Sequence, residues 1–89
     1  MASLSTLIED AVLKGRATAS DGRWRAYRQG DEVIVRHFST DMIAVCMTTM
    51  KVRPISEGWG SMTDKVGIGK VLRGAGLPGN YFTVFGGRS

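Results

Sequence analysis

Two neighbouring segments, Val33-Ile34-Val35 and Ile43-Ala44-Val45-Cys46, are apolar at every position. In a strand, successive side chains point to opposite faces, so a run like this buries both faces. Each run is β-branched and too short for a helix, and Ser39-Thr40-Asp41 supplies a turn between them. The chain must therefore build a sheet with these two strands at its centre and find cover for both sides.

The flanking residues supply more strands. Asp21-Gly22 is a favoured hairpin turn between Arg16–Ala19 and Arg23–Arg28. In the second arm Trp24 and Ala26 face one way, and Arg23, Arg25 and Tyr27 the other. The central strands are read as Glu32–Phe38 and Met42–Thr49. A further extended stretch, Met50–Arg53, ends at Pro54, which disfavours helix at the preceding residue.

Two helices frame the strands. Leu4, Leu7, Ile8, Ala11 and Val12 form one apolar stripe, with Ser3 to cap it and Gly15 to stop it. Ser61 and Asp64 have capping-box spacing ahead of a helix from Met62 to about Arg73, in which Gly67 and Gly69 each cost about 1 kcal/mol relative to Ala. Tyr81–Phe85, aromatic and β-branched, reads as a closing strand. The expectation is one α+β domain over residues 1–89, a small antiparallel sheet of four to five strands with two helices, in the order α-β-β-β-β-α-β. Residues 86–89 read as a disordered tail. Two helices cover only one sheet face, so the other needs a partner, a second copy or an aromatic cover.

Several chemistries fall away. With one Cys and one His in 89 residues, neither an intrachain disulfide nor the usual four-ligand zinc site is possible. Cys46 in its apolar run reads as a small buried hydrophobe. No apolar run approaches the ~20 residues of a spanning helix, and the start lacks a signal-peptide pattern, which points to the cytoplasm. Gly67-Ile68-Gly69-Lys70 is not a phosphate loop, because Asp64 replaces the first Gly and Val71 follows Lys70. Its glycines lie in a helix, which also excludes a dinucleotide fingerprint. His37, Asp41 and Cys46 do not form a catalytic trio if His37 pairs with Ala44, since diagonal neighbours stand ~7–8 Å apart. His37 is then a structural residue at a sheet edge. No cofactor, metal or catalytic residue is expected, and the chain reads as non-enzymatic.

Charge carries the positive signal. The net charge is +4, and between Lys14 and Arg28 five basic residues face one acidic residue, Asp21. Arginine favours bidentate contacts with phosphates and carboxylates. Arg23, Arg25, Tyr27 and Arg28 are therefore the candidate partner-binding residues, for an acidic protein surface or nucleic acid. Trp24, Tyr27, Tyr81, Phe82 and Phe85 fall on predicted strands near arginines, where bases could stack. Met42, Met47 and Met50 form an adaptable cluster that fills a core or a binding face. A second candidate is an anion site, for a nucleotide phosphate, at Ser61, Thr63 and Lys65, where a helix start follows a glycine loop and Trp59 plugs the core.

The stretches His37–Ala44 and Gly58-Trp59-Gly60-Ser61-Met62-Thr63-Asp64-Lys65, with Ile68, Leu72 and Tyr81–Phe85, carry a resemblance. Across about residues 32–86 the chain resembles small phage-encoded proteins of unassigned function that share a Gly-Trp-x-[Ser/Thr]-x-Thr-x-Lys turn into a helix. Gly60 departs from the basic residue often found after the tryptophan. The resemblance implies an accessory protein in a host cytoplasm that binds and blocks a host protein complex, in the manner of an anti-defence, anti-CRISPR-like inhibitor. Direct nucleic-acid binding, small-anion binding and a homodimer are the alternatives it leaves.

Overall fold

The computed structural model describes residues 3–20, 22–58 and 60–86. Asp21, Trp59 and the end of the predicted tail lie outside them, and with them part of the hairpin turn and the proposed core plug.

The chain opens with a 3-10 turn, Leu4–Thr6, running into α1, Leu7–Lys14. Ser3 and Thr6 close a capping box, and Gly15 ends α1 at φ 86°, a left-handed conformation that suits glycine. Five antiparallel strands follow in sequence order: β1 Arg16–Thr18, β2 Trp24–Gln29, β3 Glu32–His37, β4 Thr40–Cys46 and β5 Val52–Pro54. Then come α2, Met62–Gly74, and α3, Tyr81–Phe85. The fold is α+β, as the sequence predicts, and the extended stretch expected over Met50–Arg53 contributes a strand of its own, shifted to Val52–Pro54.

The last element differs. Tyr81–Phe85 is a helical turn, not a strand: Asn80 caps it by accepting from the Thr83 amide, and Gly86 stops it at φ 80°. Aromatic strand propensity is a statement about fitting a sheet, and no sheet position is offered there. Tyr81 instead drops into the core, and its hydroxyl donates to the Glu57 carbonyl at 2.9 Å.

The core lies between one sheet face and the helices. Trp24, Ala26, Val33, Val35, Ile43 and Val45 project from the strands onto Leu7, Ile8 and Ala11 of α1 and Ile68, Val71 and Leu72 of α2. Trp24 decides how α2 docks. A β-carbon on Gly67 would stand 2.1 Å from Trp24 Cζ2, so only glycine admits this approach. Gly67 therefore serves packing, whatever it costs in helix propensity. Gly74 does likewise at the other end of α2, where a β-carbon would stand 2.0 Å from the Ser5 carbonyl oxygen.

His37 is not at a sheet edge. It pairs with Thr40, not Ala44, because a register shift after Val35 tightens the turn and places Phe38 at φ 57°. β3 is the middle strand, and His37 is 2% exposed on the helix-bearing face. Met42 is fully buried, Met47 packs at the margin of the core, and Met50 is exposed, so the three do not form one patch.

Candidate functional site

The strand register sorts the outer face, opposite the helices, row by row. Thr18 stands beside Arg25, Arg25 beside Arg36, and Arg36 beside Asp41. In the next row Arg16 stands beside Tyr27, then Ile34, Ala44 and Arg53. Ile34 and Ala44 are buried although no helix covers them. Polar side chains bridge over them. Tyr27 Oη donates to Asp41 Oδ2 at 2.9 Å, reaching from β2 across β3 to β4. Arg53 Nε and Nη2 donate to the two Glu32 carboxylate oxygens at 3.1 and 3.0 Å, reaching from β5 across β4 to β3. The second apolar parity is thus covered from within the chain, by the aromatic side chain of Tyr27 bonded to Asp41 and by the Arg53–Glu32 pair.

These bridges shift the groups that make them. Burial, then the Asp41 hydrogen bond and charge, push the Tyr27 phenol above its ordinary value against the opposing pull of Arg36. The Arg53 hydrogen bonds hold the Glu32 carboxyl below its ordinary value. Arg36 Nε lies 3.2 Å from Asp41 Oδ1, a coulombic contact without a hydrogen bond between those atoms.

Arginines crowd the β1 side of this face. Arg16, Arg25 and Arg36, with Thr18 and Tyr27, line a shallow depression of about 300 Å³. Arg25 and Arg36 are direct cross-strand partners, and like charges so placed repel. Asp41 offsets Arg36. Arg16 and Arg25 have no ion-pair or hydrogen-bond partner for their side chains among the described residues. Of the residues singled out from sequence, Arg25 and Tyr27 belong to this depression. Arg23 is beyond it, at the strand entry, its guanidinium 5.9 Å from the Phe38 ring centroid. Arg28 has the opposite parity and bonds the Gly30 carbonyl at the far end of β2. Arg16 and Arg36 were missed because they come from other strands. Alternation marks Arg16 as polar-facing, but only the register places it beside Arg25.

The second sequence candidate is built differently. Ser61 N and Oγ both donate to Asp64 Oδ2 at 3.1 Å, so a carboxylate already occupies the start of α2. Thr63 is exposed, and Lys65 Nζ lies 5.4 Å from the Phe82 ring centroid, toward α3. The three residues do not converge on one anion.

Asp64 is instead the anchor of a buried polar cluster. Its Oδ1 accepts from His37 Nδ1 at 2.5 Å, and the two residues are 0% and 2% exposed. Burial raises the Asp64 carboxyl, but the His37 and Ser61 hydrogen bonds and the His37 charge outweigh it, and the net shift is downward. The His37 ring stacks on Trp24 at 4.1 Å and 13°. Ser61, Asp64 and His37 are the residue types of a hydrolytic triad in the wrong order. The serine bonds the carboxylate, and His37 Nε2 is enclosed with no hydrogen-bond partner among the described residues. The cluster latches α2 to the middle strand.

Cys46 is half-buried on the outer face rather than in the core, because its parity matches Ala44. Hydrogen bonds from Thr49 and Thr48 lower its thiol. His37, Asp41 and Cys46 do not meet: Asp41 bonds Tyr27 on the outer face, and His37 bonds Asp64 beneath the sheet. Tyr81, Phe82 and Phe85 sit on α3, not on strands beside the arginines. Among the described residues no group of three His, Cys, Asp or Glu side chains could hold a metal, and no helix is long and apolar enough to cross a membrane. Comparison with family models, curated proteins and solved structures gave no match to this chain.

Proposed function

We propose that this protein is a binding module without chemistry of its own, and that it docks the arginine-lined outer face of its sheet onto an anionic surface of another protein. The observation that carries this is the crowding of Arg16, Arg25 and Arg36 at one depression, with Arg25 and Arg36 directly opposed. Opposed like charges cost stability, and an anion seated between them removes that cost. By the resemblance noted above, the partner belongs to a host complex that a phage accessory protein blocks.

A protein surface is favoured over single-stranded nucleic acid by where the rings lie. Base stacking needs free aromatic faces beside the cations. Tyr27 is tied to Asp41 and Trp24 is buried against His37, while the exposed rings, Phe38 beside Arg23 and Phe82 beside Lys65, do not line the arginine depression.

The test compares binding of polyglutamate and of single-stranded DNA to the protein, to Arg16→Gln/Arg25→Gln and to Arg53→Gln, across a salt series. The double variant loses about tenfold or more in polyglutamate affinity, and the wild-type affinity falls with salt. Arg53→Gln, on the same face but at the β5 edge, three strands beyond Tyr27, binds nearly as wild type. Equal binding by the double variant removes the proposed site. Preference for DNA transfers the face to nucleic acid.

A further inference from the structure

We propose that the free edge of β1 accepts an extended acidic peptide as a sixth strand. This rests on the reading of the outer face as an anion-docking surface and specifies its partner.

The backbone pattern opens this edge. Ala19 N donates to the Trp24 carbonyl and Arg28 N to the Gly15 carbonyl, each at 2.8 Å. Antiparallel pairing alternates, so Ala17 shares the inward-bonded position with Ala26, and Arg16 and Thr18 turn their N–H and C=O groups away from β2. Among the described residues nothing else bonds those groups. Both residues are exposed.

The other edge is closed. Cys46 N donates to the Lys51 carbonyl and Ile55 N to the Met42 carbonyl, which leaves Val52 and Pro54 at the outward-bonded positions of β5. Pro54 has no N–H to offer, and α3 packs against this strand. Proline is a common protection of a sheet edge, and β1 has none; α1 packs against β1 but leaves Arg16 and Thr18 exposed.

Charge names the occupant. A strand added at ~4.8 Å from β1 places alternate side chains on the outer face, beside Arg16 and Thr18 and within reach of Arg25. Acidic residues there meet two arginines that lack partners among the described residues. The intervening side chains face Ala17, which is half-buried at the margin of the core, so small or branched apolar residues fit. The recognised pattern is acidic and apolar residues in alternation. A nucleic-acid strand cannot serve, because its phosphates carry no donors for the Arg16 and Thr18 carbonyls.

The probe is a capped peptide of three Glu-Val repeats, titrated into the folded protein by calorimetry. A second peptide of the same charge carries N-methyl groups on the amides that would face β1. A third arm uses Thr18→Pro, which deletes one outward donor and leaves the β1–β2 bonds and the arginines in place. The parent peptide binds, and N-methylation and Thr18→Pro each weaken it about tenfold, since strand addition draws its affinity from main-chain bonds. Undiminished binding of the N-methyl peptide overturns strand addition and leaves charge-driven docking standing. If Thr18→Pro does not fold, the N-methyl comparison on the wild-type protein decides alone. Absence of binding by the parent peptide, while polyglutamate binds, also overturns it. If polyglutamate fails as well, the reading of the outer face falls with it.

Discussion

Two glycines of α2 that look alike in the sequence have opposite roles in the packed protein. Gly67 faces Trp24 with no room for a methyl group, whereas Gly69 has no atom within 4 Å of a would-be β-carbon. Gly67→Ala should therefore destabilise by about 2 kcal/mol or more, through overpacking against a buried indole. Gly69→Ala should stabilise by up to about 1 kcal/mol, from helix propensity alone. Urea midpoints of the two variants check this, and a shared sign would refute the docking geometry. The Arg25–Arg36 opposition makes a second residue-scale prediction. Arg25→Thr should raise the melting temperature at low salt by relieving like-charge repulsion, and added salt should narrow the gap. A lower melting temperature would show that Arg25 supports the fold.

At the scale of elements, the start of α2 was legible and its purpose was not. Ser61 and Asp64 announce a capping box, and the box is present. That Asp64 also accepts from His37 depends on a contact 27 residues apart in sequence, which spacing rules do not reach. The same limit hid α3: Tyr81–Phe85 carries strand propensity, and only Asn80 and Gly86 on either side signal a helix. Ser61→Ala should cost about 1 kcal/mol as a lost cap. The depressed Asp64 carboxyl fixes a sign for acid. Its contribution to stability is whole above its ordinary value of 3.8 and is lost as pH falls below that, through the folded-state value. Asp64→Asn should therefore be less stable than wild type by about 3 kcal/mol near neutrality, as for a broken buried pair. The gap should shrink in acid below that value, as read by urea melts from neutral pH downward. A gap that does not change with pH would mean the carboxylate charge has no part in the latch.

For the whole molecule, the two doubly apolar runs foretold a sheet with helices on one face, and the structure has it. They also called for cover on the other face, by a partner, a second copy or an aromatic residue of the chain, and Tyr27 supplies part of that cover. Tyr27, Asp41, Glu32 and Arg53 bridge over Ile34 and Ala44, so this face presents charge rather than apolar surface. Alternation along β2 identified Arg25 and Tyr27. Arg16 and Arg36 required the pairing register, which brings three strands' arginines to one depression. The proposed function requires that an acidic partner sit in that depression. Backbone amide shifts recorded during titration with polyglutamate test it directly. Perturbations are expected to concentrate at Arg16–Thr18, Arg25, Tyr27 and Arg36, with little change at Ser61–Lys65 and Tyr81–Phe85. Perturbations centred on the latter two segments, or none anywhere, would contradict it.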